Sequence, residues 1–314
     1  MRKAILVTGG RGFLGRALAR AFKQQGYRVV GLGHGDWTPQ EALAHGFDAW
    51  YAGDVSLVTL ASLKESFDVI AHCAATSSVP FSLQQPLRAF QMTVQSTAEL
   101  LEHVRHSGTA PLILYPSSAA VYGAAEDRPL RESDRPNPVS PYGYHKQMTE
   151  ELLACYARQF GVRSVVIRFF SVYGGGLAKQ LLWDAAARLC SGEREAQFWG
   201  TGEETRDWIH VDDAAALMMA AVASAQEPYQ IVNGAAGERV TVGAVLAQLR
   251  EALGVDVALR FNGVVRPGDP RYYHADVSRA HAMGWRPSVR LPQGLSEYVD
   301  WLRRHRATQT GVAQ

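Results

Sequence analysis

The segment SPYGYHKQMTE, residues 140–150, sets Tyr142 four residues before Lys146 and just after a proline. On a helix, residues four apart share a face about one turn apart, so the phenol and the ammonium would be neighbours while Tyr144 and His145 point elsewhere. A phenol with an ordinary pKa of about 10 is a poor base at neutral pH, but a nearby positive charge favours the phenolate and brings it into working range. A third group should share the reacting oxygen. The segment YPSSAAVYG supplies Ser117 and Ser118 at the end of an apolar run, where open α/β sheets bind their ligands. Alone, a Tyr-x-x-x-Lys pair equally describes two residues on a solvated helix face. Its weight comes from the company it keeps.

That company begins at LVTGGRGFLGRALA, where Gly9, Gly12 and Gly15 lie between a short apolar run and an amphipathic pattern. Glycines allow a tight turn and close backbone approach, and the helix start that follows offers free N–H groups and its positive dipole end to a pyrophosphate. Strand, glycine loop and helix in this order form a dinucleotide site. An acid is expected at the end of the second strand, about 20 residues on, to hold the adenosine ribose of NAD. In YRVVGLGHGDW that place holds Gly33, followed by His34. A glycine removes both the ribose partner and the repulsion that would exclude a 2′-phosphate, while Arg11, His34 and Arg16 are placed to attract one. NADP is therefore as admissible as NAD, with Asp36 or a backbone group as the alternative ribose partner. GDV at 53–55 follows a third strand, so Asp54 can reach the adenine amino group. A nicotinamide ring, being positive, would also favour the phenolate of Tyr142.

The elements that must position these residues alternate. Val- and Ile-rich runs (KAILVTG, YRVVGLG, FDVIAHCAA, PLILYPSS, VRSVVIRFF) are separated by helical patterns, which makes an α/β chain with a doubly wound parallel Rossmann sheet. EDRPLRESDRPNPVSPYG carries four prolines between residues 129 and 141, which excludes a helix and predicts an ordered surface loop that delivers Tyr142 to a helix start. After Tyr173 the pattern loosens into Gly-, Arg- and aromatic-rich segments suited to a smaller lobe closing over a ligand. The expected division is a dinucleotide-binding domain of residues 1–174 and about 206–234, with a substrate-binding lobe of about 175–205 and 235–314.

Composition excludes several classes. Lys and Arg total 32 against 30 Asp and Glu, a formal charge of +2 with no block of like charge, so neither a nucleic acid nor a membrane is called for. Cys73, Cys155 and Cys190 are odd in number and have no metal-ligand spacing, which fits core fillers in a reduced cytosolic protein, without disulfide or metal. The first apolar run is too short for a targeting signal, and no uncharged stretch reaches membrane-spanning length.

TGGRGFLG, HCAA, SSAAVYG, YGYHK, RFFSVYG, RDWIHVDD and RPGD occur in the order seen in the extended short-chain dehydrogenase/reductases, which the chain resembles from about residue 3 to 287. That family contains the NAD(P)-dependent epimerases and dehydratases of nucleotide sugars. The resemblance implies Tyr142 as base, Lys146 on the nicotinamide ribose, and Ser118, with Ser117 as the weaker candidate, on the sugar hydroxyl. It implies cofactor contacts from Gly9, Arg11, Gly12, Phe13, Leu14, Gly15, His34, Asp54, Val55 and Ala74. Substrate contacts would come from Ser78, Ser171, Trp199 (or Phe198), Arg206, Arg266 and Asp269, while His210 would be structural.

Family 4,6-dehydratases follow the sugar-binding Ser/Thr with Asp-Glu; here Ala119 and Ala120 stand there, which argues against dehydration. C4 epimerisation of a nucleotide-diphosphate sugar remains, with NADPH-dependent reduction of a 4-keto sugar as the alternative and a non-catalytic NADP(H) sensor as a rival of another class. Thr93 and Ser171 replace two family asparagines, which points away from a housekeeping UDP-glucose 4-epimerase. By analogy the protein is a homodimer, joined through the helices after the fourth strand and after Tyr142.

Overall fold

The computed structural model describes residues 2–76, 78–124, 126–264 and 271–311, with side chains as far as 308. Its centre is a parallel sheet of seven strands. Six are labelled here: β1 (Ala4–Thr8), β2 (Arg28–Gly33), β3 (Ala49–Ala52), β4 (Val69–His72), β5 (Leu112–Ser118) and β6 (Ser164–Phe169). The seventh strand is Tyr229–Gly234, and the order across the sheet is Tyr229–Gly234, β6, β5, β4, β1, β2, β3. Every neighbouring pair is parallel. The doubly wound α/β arrangement expected from the alternating runs is therefore present.

Alternation along each strand supplies two cores. Ile5, Val7, Val29, Leu114 and Ile167 pack on one face with the helices Phe13–Gln24 and Val211–Ser224. Leu6, Val30, Ile70, Ile113 and Val166 pack on the other with Leu100, Leu101 and Leu153. Because both faces are covered, the strands read as continuous apolar runs. A further cluster joins the helices Gln180–Leu189, Val242–Leu253 and Leu291–Gly311 through Leu182, Leu246, Leu295 and Tyr298. It also covers the parallel pair Glu195–Phe198 and Ala258–Phe261.

Two buried carboxylates tie these parts together. Asp207 accepts from the N–H groups of Ala236, Gly237 and Ala275 at 2.9, 3.1 and 3.2 Å. Asp213 accepts from the Ser288 and Val289 N–H groups at 3.0 and 2.9 Å and from the Ser288 hydroxyl at 2.6 Å. Chain segments far apart in sequence are thus fixed by backbone hydrogen bonds to two buried side chains.

The expectation that all three cysteines fill the core is corrected. Cys155 and Cys190 are exposed, so only Cys73, half-buried, resembles a core filler; all three are free. Among the described residues, no helix is long and apolar enough to cross a membrane and no cluster of His, Cys, Asp or Glu could hold a metal.

The strand order reverses between β1 and β4, so the loops that leave their carboxyl ends diverge and open a crevice between them. Closeness at the base of that crevice depends on glycine. A Cβ on Gly15 would lie 2.6 Å from the Gly9 carbonyl oxygen and 2.9 Å from the Gly10 Cα. Gly15→Ala is expected to push the helix off the loop and cost about 1–3 kcal/mol of unfolding free energy. Urea denaturation checks this, and an unchanged midpoint would contradict it.

Candidate active site

A single cleft of about 990 Å³ runs along this crevice, with the glycine loop at one end and Ser118, Tyr142 and Lys146 at the other. At the loop end, helix Phe13–Gln24 starts at Gly12 with no side-chain cap and no acid in its first turn. Its first N–H groups are therefore available to an anion. Gly9 has φ +63°, and a Cβ there would stand 2.7 Å from the Ala74 nitrogen, so the turn after β1 can nest against the turn after β4 only as glycine. Gly9, Arg11, Gly12, Phe13, Leu14 and Gly15 line this end, joined by His34, Asp54, Val55 and Ala74. Bare N–H groups, a cradle that a Cβ would fill and a cationic side chain fit the pyrophosphate of a nicotinamide dinucleotide. Asp54 does not stand free for the adenine: its carboxylate pairs with the His34 imidazole.

The other end is built by β5 and the helix Pro141–Phe160. Ser140 caps that helix by accepting the Gly143 N–H at 3.2 Å, and Pro141 fills its first turn, where no N–H is needed. The Tyr142 N–H is held by the Ser82 hydroxyl at 3.0 Å. The proline-rich loop thus delivers the tyrosine to a helix start, as expected. One turn later Lys146, 4% exposed, donates to the Pro116 carbonyl at 2.7 Å and lies 4.5 Å from the Tyr115 ring centre and 6.0 Å from that of Tyr142.

Burial dominates both titrations. It drives the Lys146 ammonium down to about 8, with Cys73 and Glu150 pulling the other way. It pushes the Tyr142 phenol up, opposed by hydrogen bonding with Ser118. The expectation that Lys146 by itself draws the phenol into working range is therefore corrected: the ammonium is engaged by a carbonyl, and desolvation of the phenolate prevails. The Ser118 hydroxyl accepts the Ala120 N–H at 3.2 Å, which leaves its own hydrogen to donate into the cleft.

Other sequence candidates fall less evenly. Ser171 lines the cleft. Ser117 also lines the cleft, but it is 4% exposed and gives its hydroxyl hydrogen to Glu150 Oε1 at 2.5 Å, so that hydrogen is committed to the helix behind the site. Ser78 caps the short helix Val79–Gln84, accepting the Phe81 N–H at 3.3 Å; among the described residues of the segment 76–80, Thr76 lines the cleft. Trp199 is 46% exposed and Phe198 is buried in the cluster with Leu182, so neither contributes to the cleft wall. Arg206, also outside the wall, donates to the Thr205 carbonyl at 2.8 Å and lies over the Tyr273 ring. Asp36 is likewise off the wall. Arg266 and Asp269 lie outside the described residues. His210 is buried and accepts the Asp212 N–H through Nδ1, a structural part as expected.

Two buried networks were missed. Glu150, one turn after Lys146, takes the Arg168 guanidinium from Nη2 at 2.7 Å and from Nε at 3.1 Å, as well as the Ser117 hydroxyl. It locks the helix Pro141–Phe160 to β5 and β6. The signal was an arginine inside a run otherwise apolar, VRSVVIRFF, since a buried charge requires a partner. The second network runs from Thr8 Oγ1 to His72 Nδ1 at 2.8 Å and from His72 Nε2 to Thr97 Oγ1 at 3.1 Å. Thr97 donates to the Thr93 carbonyl at 2.6 Å, so it accepts from His72, which must carry its proton on Nε2 and accept from Thr8. Burial lowers this imidazole to about 3, which keeps it neutral. Thr93, in the π-helical turn Gln91–Gln95, is fully buried beside Thr76 rather than in the cleft.

A parallel doubly wound sheet, a glycine cradle at its switch point and a Ser, Tyr and Lys group across the same crevice define a dinucleotide-dependent enzyme class. The NAD dependent epimerase/dehydratase family model matches residues 5–235, and the chain belongs to that family. It is 29% identical to the UDP-glucose 4-epimerase of Azospirillum brasilense over 95% of this chain and 92% of that one. Among solved structures, the Thermotoga maritima UDP-glucose 4-epimerase with UDP-glucose superposes with a TM-score of 0.87 at 27% identity, covering 96% of this chain and 99% of the other. The Bacillus cereus UDP-glucuronic acid 4-epimerase, in complex with UDP-glucuronic acid and NAD, gives 0.87 at 26% identity over the same shares.

Lys146 carries a measurable cost. A folded value of about 8 against about 10.5 unfolded means the unfolded chain binds more protons between those values, so stability rises with pH across that window. Lys146→Met should therefore be more stable than the parent by about 1–3 kcal/mol at pH 7, with the gap closing toward pH 9.5. Urea titrations at the two pH values check this; a less stable or pH-independent variant would contradict it.

Proposed function

We propose that this protein is an NAD(P)-dependent epimerase acting at C4 of a nucleoside-diphosphate sugar, with Tyr142 as the base. The observation that carries the proposal is that one cleft joins the glycine cradle to Ser118, Tyr142 and Lys146, with Ala119 and Ala120 in the places where dehydration would need an acid and a base. The relatives that act on UDP-sugars support UDP as the nucleotide to try first.

When bound, the dinucleotide supplies a hydride acceptor and donor. Ser118 donates its hydroxyl hydrogen to the substrate oxygen and fixes its position. Tyr142 takes the C4 hydroxyl proton as the carbon is oxidised and returns it when the carbon is reduced from the other side. Lys146, held by Pro116, presents its remaining N–H groups to the nicotinamide ribose and its charge to the phenolate. In this proposal the segments 1–174 and about 206–234 hold the dinucleotide, and about 175–205 with 235–314 hold the sugar nucleotide, with Arg206, Arg266 and Asp269 on that side. A cytosolic setting suits the three free cysteines.

The same helices offer a partner surface. Leu83, Leu87, Phe90, Tyr144 and Met148 are exposed on Val79–Gln84, Pro86–Phe90 and Pro141–Phe160. A homodimer closing over this face would bury them. Leu87→Glu is expected to shift the protein toward monomer in sedimentation equilibrium; a parent that is itself monomeric at micromolar concentration would contradict the dimer.

The activity is tested by incubating the enzyme with UDP-glucose, UDP-galactose and UDP-glucuronate and following the C4 epimer by NMR. Tyr142→Phe should retain dinucleotide binding while turnover falls by about 10²–10⁴. Parent turnover should rise with pH as the phenol ionises, because the base form starts the reaction, and that rise should be absent from the residual rate of Tyr142→Phe. Undiminished turnover in the variant would overturn the role of Tyr142. No epimer from any sugar, together with consumption of NADPH on a 4-keto sugar, would replace the epimerase with a reductase.

A further inference from the structure

The adenosine end of the cleft departs from what an NAD site requires. At the end of β2, Gly33 has no side chain, and the space beside it belongs to Trp50: a Cβ at Gly33 would stand 3.2 Å from the indole Cη2, and one at Gly31 only 2.5 Å from Cε3. The indole is fixed by its N–H, which donates to the Gly35 carbonyl at 2.9 Å, and by Trp37, whose ring centre lies 4.7 Å away. A carboxylate at position 33 would have to move this ring.

What takes the acid's place is a guanidinium. Arg11 lies over the Trp37 ring at 5.0 Å, and Trp37 is stacked on His45 at 4.6 Å. Arg11 Nη1 donates to the His34 carbonyl at 3.4 Å and crosses Gly35, φ +80°, where a Cβ would sit 1.9 Å from that nitrogen. The four residues His34 to Trp37 thus supply a carbonyl to hold Arg11, a gap for it to cross and a ring for it to lie on. Arg11, Gly33 and His34 all face the cleft.

The surrounding charges favour an anion. Arg11, Arg16 and Arg20 are close enough to depress the His45 imidazole, though burial is the larger cause, and Arg20 and Arg11 add to the burial that lowers Arg16. Two of the nearby carboxylates already have partners. Glu41 accepts the Thr38 N–H at 2.7 Å and its hydroxyl at 2.9 Å as part of a helix cap, and Asp54 is paired with His34. A guanidinium placed over an aromatic ring and hydrogen-bonded to a carbonyl is preorganised for contact with a phosphate.

We propose that this end of the cleft is a 2′-phosphate site, with Arg11 as its principal ligand and His34 beside it, so that the preferred dinucleotide is NADP(H) rather than NAD(H). The proposal rests on the dinucleotide function of the cleft but not on the sugar chemistry at its other end.

Calorimetric titration of the intact protein with 2′,5′-ADP and with 5′-AMP tests it, because these probes differ only in the 2′-phosphate and occupy only the adenosine end. The expected result is tighter binding of 2′,5′-ADP by about tenfold or more, since charge-assisted hydrogen bonds are each of that order. Raising the salt concentration should shrink the preference. Arg11→Ala, a change at an exposed side chain, should erase the preference, weakening 2′,5′-ADP by about tenfold or more relative to 5′-AMP. Equal affinities, tighter binding of 5′-AMP, or a preference that survives Arg11→Ala would overturn the 2′-phosphate site. Failure of both probes and of NADH and NADPH to bind would overturn the dinucleotide function itself.

Discussion

The site depends on how closely two turns can approach at the switch point of the sheet. The turn after β1 and the turn after β4 meet at Gly9 and Ala74, where a single Cβ would come within 2.7 Å of a backbone nitrogen. Because they meet, the cleft has a continuous floor from the bare helix start at Gly12 to the end of β5, and a ligand with two separate recognition ends can lie along it. Buried hydrogen bonds keep the turns in register: Thr8 Oγ1 accepts the Ala74 N–H at 3.2 Å while bonding to His72, which in turn bonds to Thr97 on the helix Ser96–His106. Strand ends, loop and helix are held by one neutral imidazole whose tautomer is set by its neighbours.

At the far end the governing term is desolvation. Lys146, Glu150 and Arg168 are all buried within two turns of one helix and the adjoining strand. Glu150 and Arg168 neutralise each other through short hydrogen bonds, and Ser117 occupies a further site on the carboxylate. Among the described residues no carboxylate pairs directly with Lys146, and its burial lowers it to about 8. A fold selected only for stability would not keep a charge in that position. It is retained beside a buried phenol whose ionised form it can support once a ligand excludes the remaining water.

Much of this was legible from the chain. The alternating apolar runs, the glycine spacing, the serine strand end and the Tyr-x-x-x-Lys helix each follow from local rules, because backbone sterics and helix periodicity act over a few residues. The proline-rich loop was legible for the same reason. What escaped was long-range pairing. Nothing local says that Ser117 rather than Ser118 turns toward Glu150, 33 residues away. Ser78 resembled a sugar ligand, but a serine three residues before a free helix N–H is also an N-cap, and here the backbone claims it. The phenol of Tyr142 was misjudged because helical spacing predicts proximity to Lys146 but not the burial of either group.

The two ends of the cleft answer different questions. Ala119 and Ala120 bear on the reaction, since they remove the acid and base an elimination would need, and they leave transfer at a single carbon. Gly33, Arg11 and Trp50 bear on how the dinucleotide is held, since in the proposed 2′-phosphate site they set which phosphate pattern is neutralised at the adenosine. An epimerase regains its oxidised cofactor within each turnover and gains nothing from exchange, whereas a reductase must release the spent cofactor and draw on a pool kept reduced. Because the same Ser, Tyr and Lys can move a proton either way, the geometry of the reacting end is common to both reactions. The adenosine end, where neither the sugar nor the proton is present, is thus the part of the molecule that separates them.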